Sequence, residues 1–218
     1  MTEIDTKNQI LDVAERLFAS KGFAGTSLRE ITKEAGVNLA AINYHFQSKE
    51  KLIQQVYARR ITPINKERLK LLDEIDRKYG QTVPPLEEVV RALVGPIIKF
   101  AKESKHGSEL FMKLYGRLYT ESVGFLHEFF IDDFKEVIER FVVLLKRMLP
   151  HLTPNEFYWR LRFVGGALLH SLYDPFESGG IHEWNNFRNI DTESITNQLV
   201  DFIIAGLTVI SSEKKKQV

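Results

Sequence analysis

Cysteine is absent from the 218 residues, which removes disulfide scaffolds, thiolate metal sites and cysteine nucleophiles. Proline and glycine are sparse, at seven and thirteen, and most stand where helices would start or stop. Charge of one sign is missing too. Thirty Lys+Arg face twenty-nine Asp+Glu, a formal net charge of +1, so the chain is neither a histone-like basic protein nor an acidic disordered one. No apolar run reaches the ~18 residues of a membrane-spanning helix; the stretch Phe163 to Leu169 is broken by His170. The opening MTEIDTKNQI carries acidic residues and no apolar core, so no secretory signal is expected, and the chain is expected in the cytoplasm with no membrane partner.

What is present is 44% hydrophobic and 27% charged residues, the balance of a globular protein, with apolar spacing close to 3.6 almost throughout. Alternating strand patterns are scarce, so the expected fold class is all-α. A first helix is expected over Thr6–Ser20, with Ile10, Val13, Ala14, Leu17 and Phe18 on one face and Gly22 just past its end. A second starts at Ser27, which with Glu30 has capping-box spacing, and ends at Gly36. Val37 then anchors a turn, and Asn38 caps a third short helix to about His45 with Ile42 and Phe46 turned inward. Ser48 caps a fourth, with Leu52, Val56 and Tyr57 buried. Two short capped helices joined at Gly36 form a helix-turn-helix pattern, in which the second helix enters the major groove of DNA.

Leu39, Ala40 and Asn43 lie opposite the anchors Val37 and Ile42. Asn43 has the donor and acceptor for a bidentate pair with adenine, and Ala40 suits a thymine methyl. Tyr44, His45 and Lys49 cluster three phosphate donors, and the helix start at Ser27 adds a hydroxyl and amides where the helix dipole favours an anion. Residues 1–60 hold nine Lys+Arg and seven Asp+Glu, a net of +2. Affinity therefore has to come from placed donors and from two domains acting as a pair.

The run ILDVAERLFASKGFAGTSLREITKEAGVNLAAINYHFQSKEKLIQQV, residues 10–56, resembles the N-terminal DNA-binding domain of the TetR family of bacterial transcriptional regulators. The matching parts are AxxLFAxxGFxxTS, IxxxAGV, the YHF ending and SKExL. The resemblance places Thr26, Ser27, Tyr44, His45 and Lys49 at positions where the family contacts DNA, mostly phosphates. Asn43 departs from the pattern, replacing an aromatic often found before the final aromatic-His pair, and its partner base stays open. The expected division is residues 1–47 as helix-turn-helix domain and 48–218 as a ligand-binding and dimerisation domain, with the helix from 48 as connector.

That connector is expected to run toward Tyr79, with a kink or break near Ile61–Thr62 imposed by Pro63. Further helices are expected over Leu86–Ser104, bent at Pro96, and over Glu109–Thr120, Gly124–Met148, Thr153–Tyr173 and Thr192–Ser211. Thr153, Pro154 and Glu156 supply cap, first-turn proline and capping-box partner. Phenylalanines crowd the Gly124–Met148 segment, either as core or as the lining of an apolar ligand site. A candidate ligand set is Phe100, Met112, Tyr115 and Phe129, with Arg162 or His170 turned inward to hold an anionic head. Gly165–Gly166 in mid-helix would be compensated by a close approach. The family resemblance puts dimerisation on the last two helices, giving Gly165, Gly166, Leu169, Phe202 and Gly206 as candidate interface residues. The run PNEFYWRLRFVGGALLHSLYDP is also similar to fatty-acid-responsive members of the family, which implies a long-chain acyl ligand.

No histidine pair has i, i+3 or i+4 spacing, and there is no G-x-S-x-G, P-loop or G-x-G-x-x-G. No catalytic residue, metal or cofactor is expected. The reading is a homodimeric DNA-binding regulator, a repressor released from its double-stranded operator by a small, largely apolar ligand of fatty-acid or acyl-CoA type. One alternative keeps the DNA-binding head and makes the C-terminal half a dock for a protein partner. A remoter one is an all-α enzyme.

Overall fold

The computed structural model describes residues 3–103, 110, 113–114, 117, 121, 124–172 and 191–210. All regular structure among them is helical: α1 (Glu3–Lys21), α2 (Leu28–Ala35), α3 (Leu39–Phe46), α4 (Lys49–Tyr79), α5 (Leu86–Glu103), α6 (Gly124–Met148), α7 (Pro154–Leu172) and α8 (Thr192–Thr208). Of the helix expected over Glu109–Thr120, the described residues Leu110, Lys113, Leu114 and Arg117 are helical. The expected ends at Ser104, Tyr173 and Ser211 lie outside the described residues. No described helix is long and apolar enough to cross a membrane.

The chain divides into two compact units. One holds residues 1–66 and 104–136, the other 67–103 and 137–218. The first is built on one apolar cluster. Ile10, Ala14 and Phe18 from α1, Ile31 from α2, Ile42 and Phe46 from α3, and Leu52, Val56 and Tyr57 from α4 are all buried in it, with Leu114. Phe23 folds back after Gly22, its ring 5.4 Å from Phe18 and 6.0 Å from Tyr57. The phenol of Tyr57 donates to the Leu114 carbonyl, so the cluster takes in a helical turn far from the first sixty residues in sequence.

Beside this apolar cluster sits a buried charge. Glu15 is 1% exposed, and its carboxylate accepts from Arg59 and from Arg60 Nε at 2.6 Å; Arg59 also reaches Asp12 at 2.6 Å. A carboxylate taken out of water persists only when its lone pairs are filled, and two guanidiniums fill these. The pair ties α1 to α4 about three turns in from its start.

Pro63 does not break α4, which runs unbroken from Lys49 to Tyr79; the expected break near Ile61–Thr62 is corrected. Pro63 is on the exposed side while Ile61 and Ile64 are buried. The Arg59 carbonyl that loses its N–H partner is one turn back on the same side, where water can replace the lost bond. Pro96 is likewise carried inside α5.

In the second unit α5 packs on α8 and on α7. Val89, Val90, Val94, Ile97 and Ile98 are buried from α5, and Leu199, Val200, Ile203 and Leu207 from α8. Arg91 ties α5 to Asn197 of α8 at 2.7 Å, and buried Arg68 ties α4 to the Leu93 carbonyl of α5 at 2.8 Å. Helix α7 begins on a complete capping box. The Thr153 amide donates to Glu156 Oε2 at 2.8 Å, and the Glu156 amide donates back to Thr153 Oγ1 at 3.3 Å.

Candidate nucleic-acid interface

The α2–α3 pair is set by its caps. Ser27 has extended backbone, and its hydroxyl accepts from the Glu30 amide at 3.1 Å. The Glu30 carboxylate bonds Lys21 of α1; this, with the Ser27 amide, lowers its pKa, and the same bond raises that of Lys21. At the other end Gly36 is left-handed (φ 64°, ψ 29°). The Gly36 amide donates to the Lys33 carbonyl at 3.4 Å and the Val37 amide to the Thr32 carbonyl at 3.0 Å. Those two bonds are the Schellman pattern, with glycine where φ must be positive. Asn38 then caps α3, its Oδ1 accepting from the Ala41 amide at 2.9 Å.

With Ile42 and Phe46 buried, the opposite face of α3 has nowhere to go but out. Leu39, Ala40, Asn43 and Tyr44 are all exposed, Tyr44 to 72%. They stand at i, i+1, i+4 and i+5, one continuous stripe. His45 is half-buried, its ring 5.1 Å from that of Tyr44. Helix α3 ends abruptly. Gln47 has φ 65° and ψ −42°, and the Ser48 amide reaches back to the Phe46 carbonyl at 2.7 Å. This is the rare γ-turn with positive central φ. Ser48 caps α4 by accepting from the Lys51 amide at 3.2 Å, and Lys51 Nζ bonds Gln47 Oε1. The Ser48 hydroxyl and the helix-start amide of Glu50 itself lower the pKa of the Glu50 carboxyl, the amide first.

Of the eight residues expected at DNA, seven are exposed or half-buried: the stripe, His45, Ser27 and Lys49. Thr26 is the exception. It is 1% exposed, and its hydroxyl donates internally, to the Gly22 carbonyl at 2.8 Å and the Leu17 carbonyl at 3.3 Å. Its role is to close the α1–α2 turn, not to reach a phosphate. Lys49 Nζ donates to the Phe23 carbonyl, which uses one of an ammonium's three donors.

The periodic pattern hides a second grip on that turn. Glu121 Oε2 accepts from the Phe23 amide at 2.7 Å and the Ala24 amide at 3.1 Å. Arg117 pairs with Glu121 at 3.5 Å and donates to the Ser20 carbonyl at 3.0 Å. A turn has orphan amides that some acceptor must satisfy. Nothing local in the sequence points to a carboxylate almost a hundred residues on.

The candidate ligand set is not assembled by the described residues. Phe100 is half-buried. Met112, Tyr115 and the side chain of Phe129 lie outside the described residues. Arg162 and His170 are exposed, which corrects the inward orientation expected of them. The Arg162 guanidinium lies 5.8 Å from the ring centres of both Tyr158 and Trp159, one turn back on the outer face of α7. Arg160 points elsewhere, donating to the carbonyls of Gly206 (3.0 Å), Leu207 (2.7 Å) and Val209 (2.8 Å) as a cation at the C-terminus of α8.

The candidate interface residues of α7 and α8 are exposed or partly covered. Phe163 and Phe202 are 67% and 68% exposed, with Trp159 also exposed. Gly166 and Gly206 are exposed, and Gly165 and Leu169 are partly covered. A Cβ built on Gly165, Gly166 or Gly206 meets nothing within 4 Å. The close approach expected to compensate the glycine pair is therefore not made within the chain's described residues.

Two family profiles match the sequence. One, described as bacterial regulatory proteins of the tetR family, matches residues 10–56; the other, described as a tetracyclin repressor-like C-terminal domain, matches residues 91–206, more than half of the chain. Over 54 residues the chain is 46% identical to the probable HTH-type transcriptional regulator YttP of Bacillus subtilis (strain 168), covering 25% of this chain and 26% of that protein. Over 53 residues it is 47% identical to the HTH-type transcriptional regulator AcrR of Shigella flexneri, covering 24% and 25%. The match thus spans about a quarter of the length of these curated relatives. The backbone is similar to that of NalD from Pseudomonas aeruginosa, described as the secondary repressor of the MexAB-OprM multidrug efflux pump. The TM-score is 0.62 at 20% identity, covering 94% of this chain and 98% of that one; this likeness concerns the fold.

Proposed function

The chain belongs to the TetR family of bacterial regulatory proteins, and from that premise we propose that it is a DNA-binding transcriptional repressor acting as a homodimer. Its family and relatives are transcriptional regulators, not enzymes. The observation that carries the proposal is the α3 stripe, which stays in water while the same short helix is fixed by two buried anchors and a capped start. Rigid backing with an exposed, hydrogen-bonding face is what major-groove reading requires. In this reading Leu39, Ala40 and Asn43 face base edges, and Ser27, Tyr44, His45 and Lys49 hold phosphates. Residues 1–47 act as the reading head and 48–218 as the part that senses and pairs.

The outer surface of α7 and α8 supports the pairing. Large exposed rings beside glycines with open space above them suit close helix packing between two copies. Release by a small, largely apolar ligand completes the proposal. It is supported by the family alone, as an expectation general to its members. The fatty-acyl class rests on the resemblance of residues 154–175 alone, and Arg162 and His170 are not carried over as its head-group partners.

The test is a mobility-shift assay of the full chain on DNA upstream of its own gene, titrated in salt against random duplex. Sequence-specific binding that weakens with salt is expected. A folded dimer with no specific binding at low salt would contradict the proposal.

A further inference from the structure

We infer that Glu121 is a positioning residue for operator binding: its carboxylate holds the α1–α2 turn in the shape that presents the Ser27 end of α2 and Lys49 to a phosphate. The inference rests on the operator-binding reading above and adds to it a residue outside the helix-turn-helix sequence. Glu121 lies within the 91–206 stretch matched by the C-terminal profile, yet it folds into the first compact unit.

The geometry is a grip from two sides on one peptide unit. The Phe23–Ala24 peptide offers its N–H to Glu121 and its carbonyl to Lys49. Glu121 also takes the Phe23 N–H, and Arg117 steadies it while bonding the Ser20 carbonyl. The bend beneath is left-handed at Gly22 (φ 79°), where a Cβ would come within 2.1 Å of Glu121 Oε1. The absent side chain makes the space the carboxylate occupies. Four residues on from Gly22, Thr26 fastens the same turn from inside, and Ser27 opens α2 immediately after it. Without the carboxylate, two turn amides lose their acceptor and Lys49 holds a peptide that can rotate. The share of molecules with the phosphate donors in place falls, and apparent affinity falls with it.

The experiment uses the full chain with Glu121→Ala, Glu121→Gln and Gly22→Ala. Readouts are affinity for the operator, affinity for random duplex, and hydrogen exchange of the Phe23 and Ala24 amides. Loss of hydrogen bonds to a charged acceptor should cost Glu121→Ala about tenfold in operator affinity, with random-duplex affinity falling alike, since phosphate contacts are shared by both, and both amides deprotected. Glu121→Gln keeps an acceptor oxygen and should stay within about threefold of the wild type. Gly22→Ala, which drives the carboxylate out from the other side, should repeat the Glu121→Ala pattern and decides the matter if Glu121→Ala does not fold. Unchanged operator affinity or unchanged amide protection in Glu121→Ala overturns the role, as does a fall on the operator with none on random duplex. A wild type that binds no sequence specifically sinks the operator reading itself. Wild-type binding that survives Glu121→Ala and Gly22→Ala sinks only the positioning role.

Discussion

Glu15 carries the largest single-residue consequence in the first unit. Its carboxylate is buried, while Arg59 and Arg60 are partly open to water. Glu15→Gln removes the buried charge that Arg59 and Arg60 share and should lower unfolding stability by about 3 kcal/mol in urea titration. A loss below about 1 kcal/mol, the worth of an exposed pair, would show that the network is surface-like. Gln47 is the reverse case, a residue whose backbone conformation favours glycine. Gln47→Gly should raise stability by about 1 kcal/mol, while loosening the α3–α4 junction and weakening specific DNA binding. At acid pH four carboxyls act together. Tyr79 and then Lys78 lower the pKa of Glu88, the Ser194 hydroxyl and amide lower that of Asp191, and Glu30 and Glu50 are lowered as described. A carboxyl with a lower pKa folded than unfolded contributes stability above its unfolded value and loses it as pH falls through its folded one. Unfolding free energy should therefore decline on the acid side of about pH 4. These groups contribute no slope between pH 6 and 8, which denaturant titrations across that range check.

At the level of the elements, the caps explain why the second and third helices were legible from the sequence. Ser27 with Glu30, Gly36, and Asn38 each do in the structure what their spacing implies, because a cap is a local bond between neighbours in sequence. Gly36→Ala puts a Cβ on a left-handed residue and should cost about 1–2 kcal/mol, measurable in denaturant, although nothing lies near enough to clash. The break that Pro63 allowed in α4 is absent for the opposite reason. Whether a missing N–H breaks a helix depends on which side of it meets water, and that is settled by packing. Thr26, Arg162 and His170 failed likewise. The side of a helix that faces in is written in the apolar period, but a polar residue on its flank is turned by partners such as the Leu17 carbonyl or the Tyr158 ring. Glu121 could not be found at all, since its bonds join segments nearly a hundred residues apart.

For the whole molecule, the account requires two heads on one duplex. Phe202→Asp places a charge in the surface proposed to pair. It should convert the protein to monomer by light scattering and reduce operator affinity by about a hundredfold, through loss of avidity rather than of any DNA contact. Lys49→Ala should weaken binding to operator and random duplex alike and reduce the salt dependence by about one ion per head. Asn43→Ala should act on sequence preference instead, since a bidentate base contact is worth about 1–3 kcal/mol.

The most direct measurement is selection of the full-length protein on a random-sequence duplex library at physiological salt. It is followed by affinities of wild type and Asn43→Ala for the selected site. An inverted repeat should be enriched, with half-sites about one helical turn or a multiple apart. Asn43→Ala should lose about tenfold or more on it, with its affinity for random DNA unchanged. A folded protein that enriches no sequence, or that binds the selected site equally well after Asn43→Ala and Tyr44→Ala, contradicts the account.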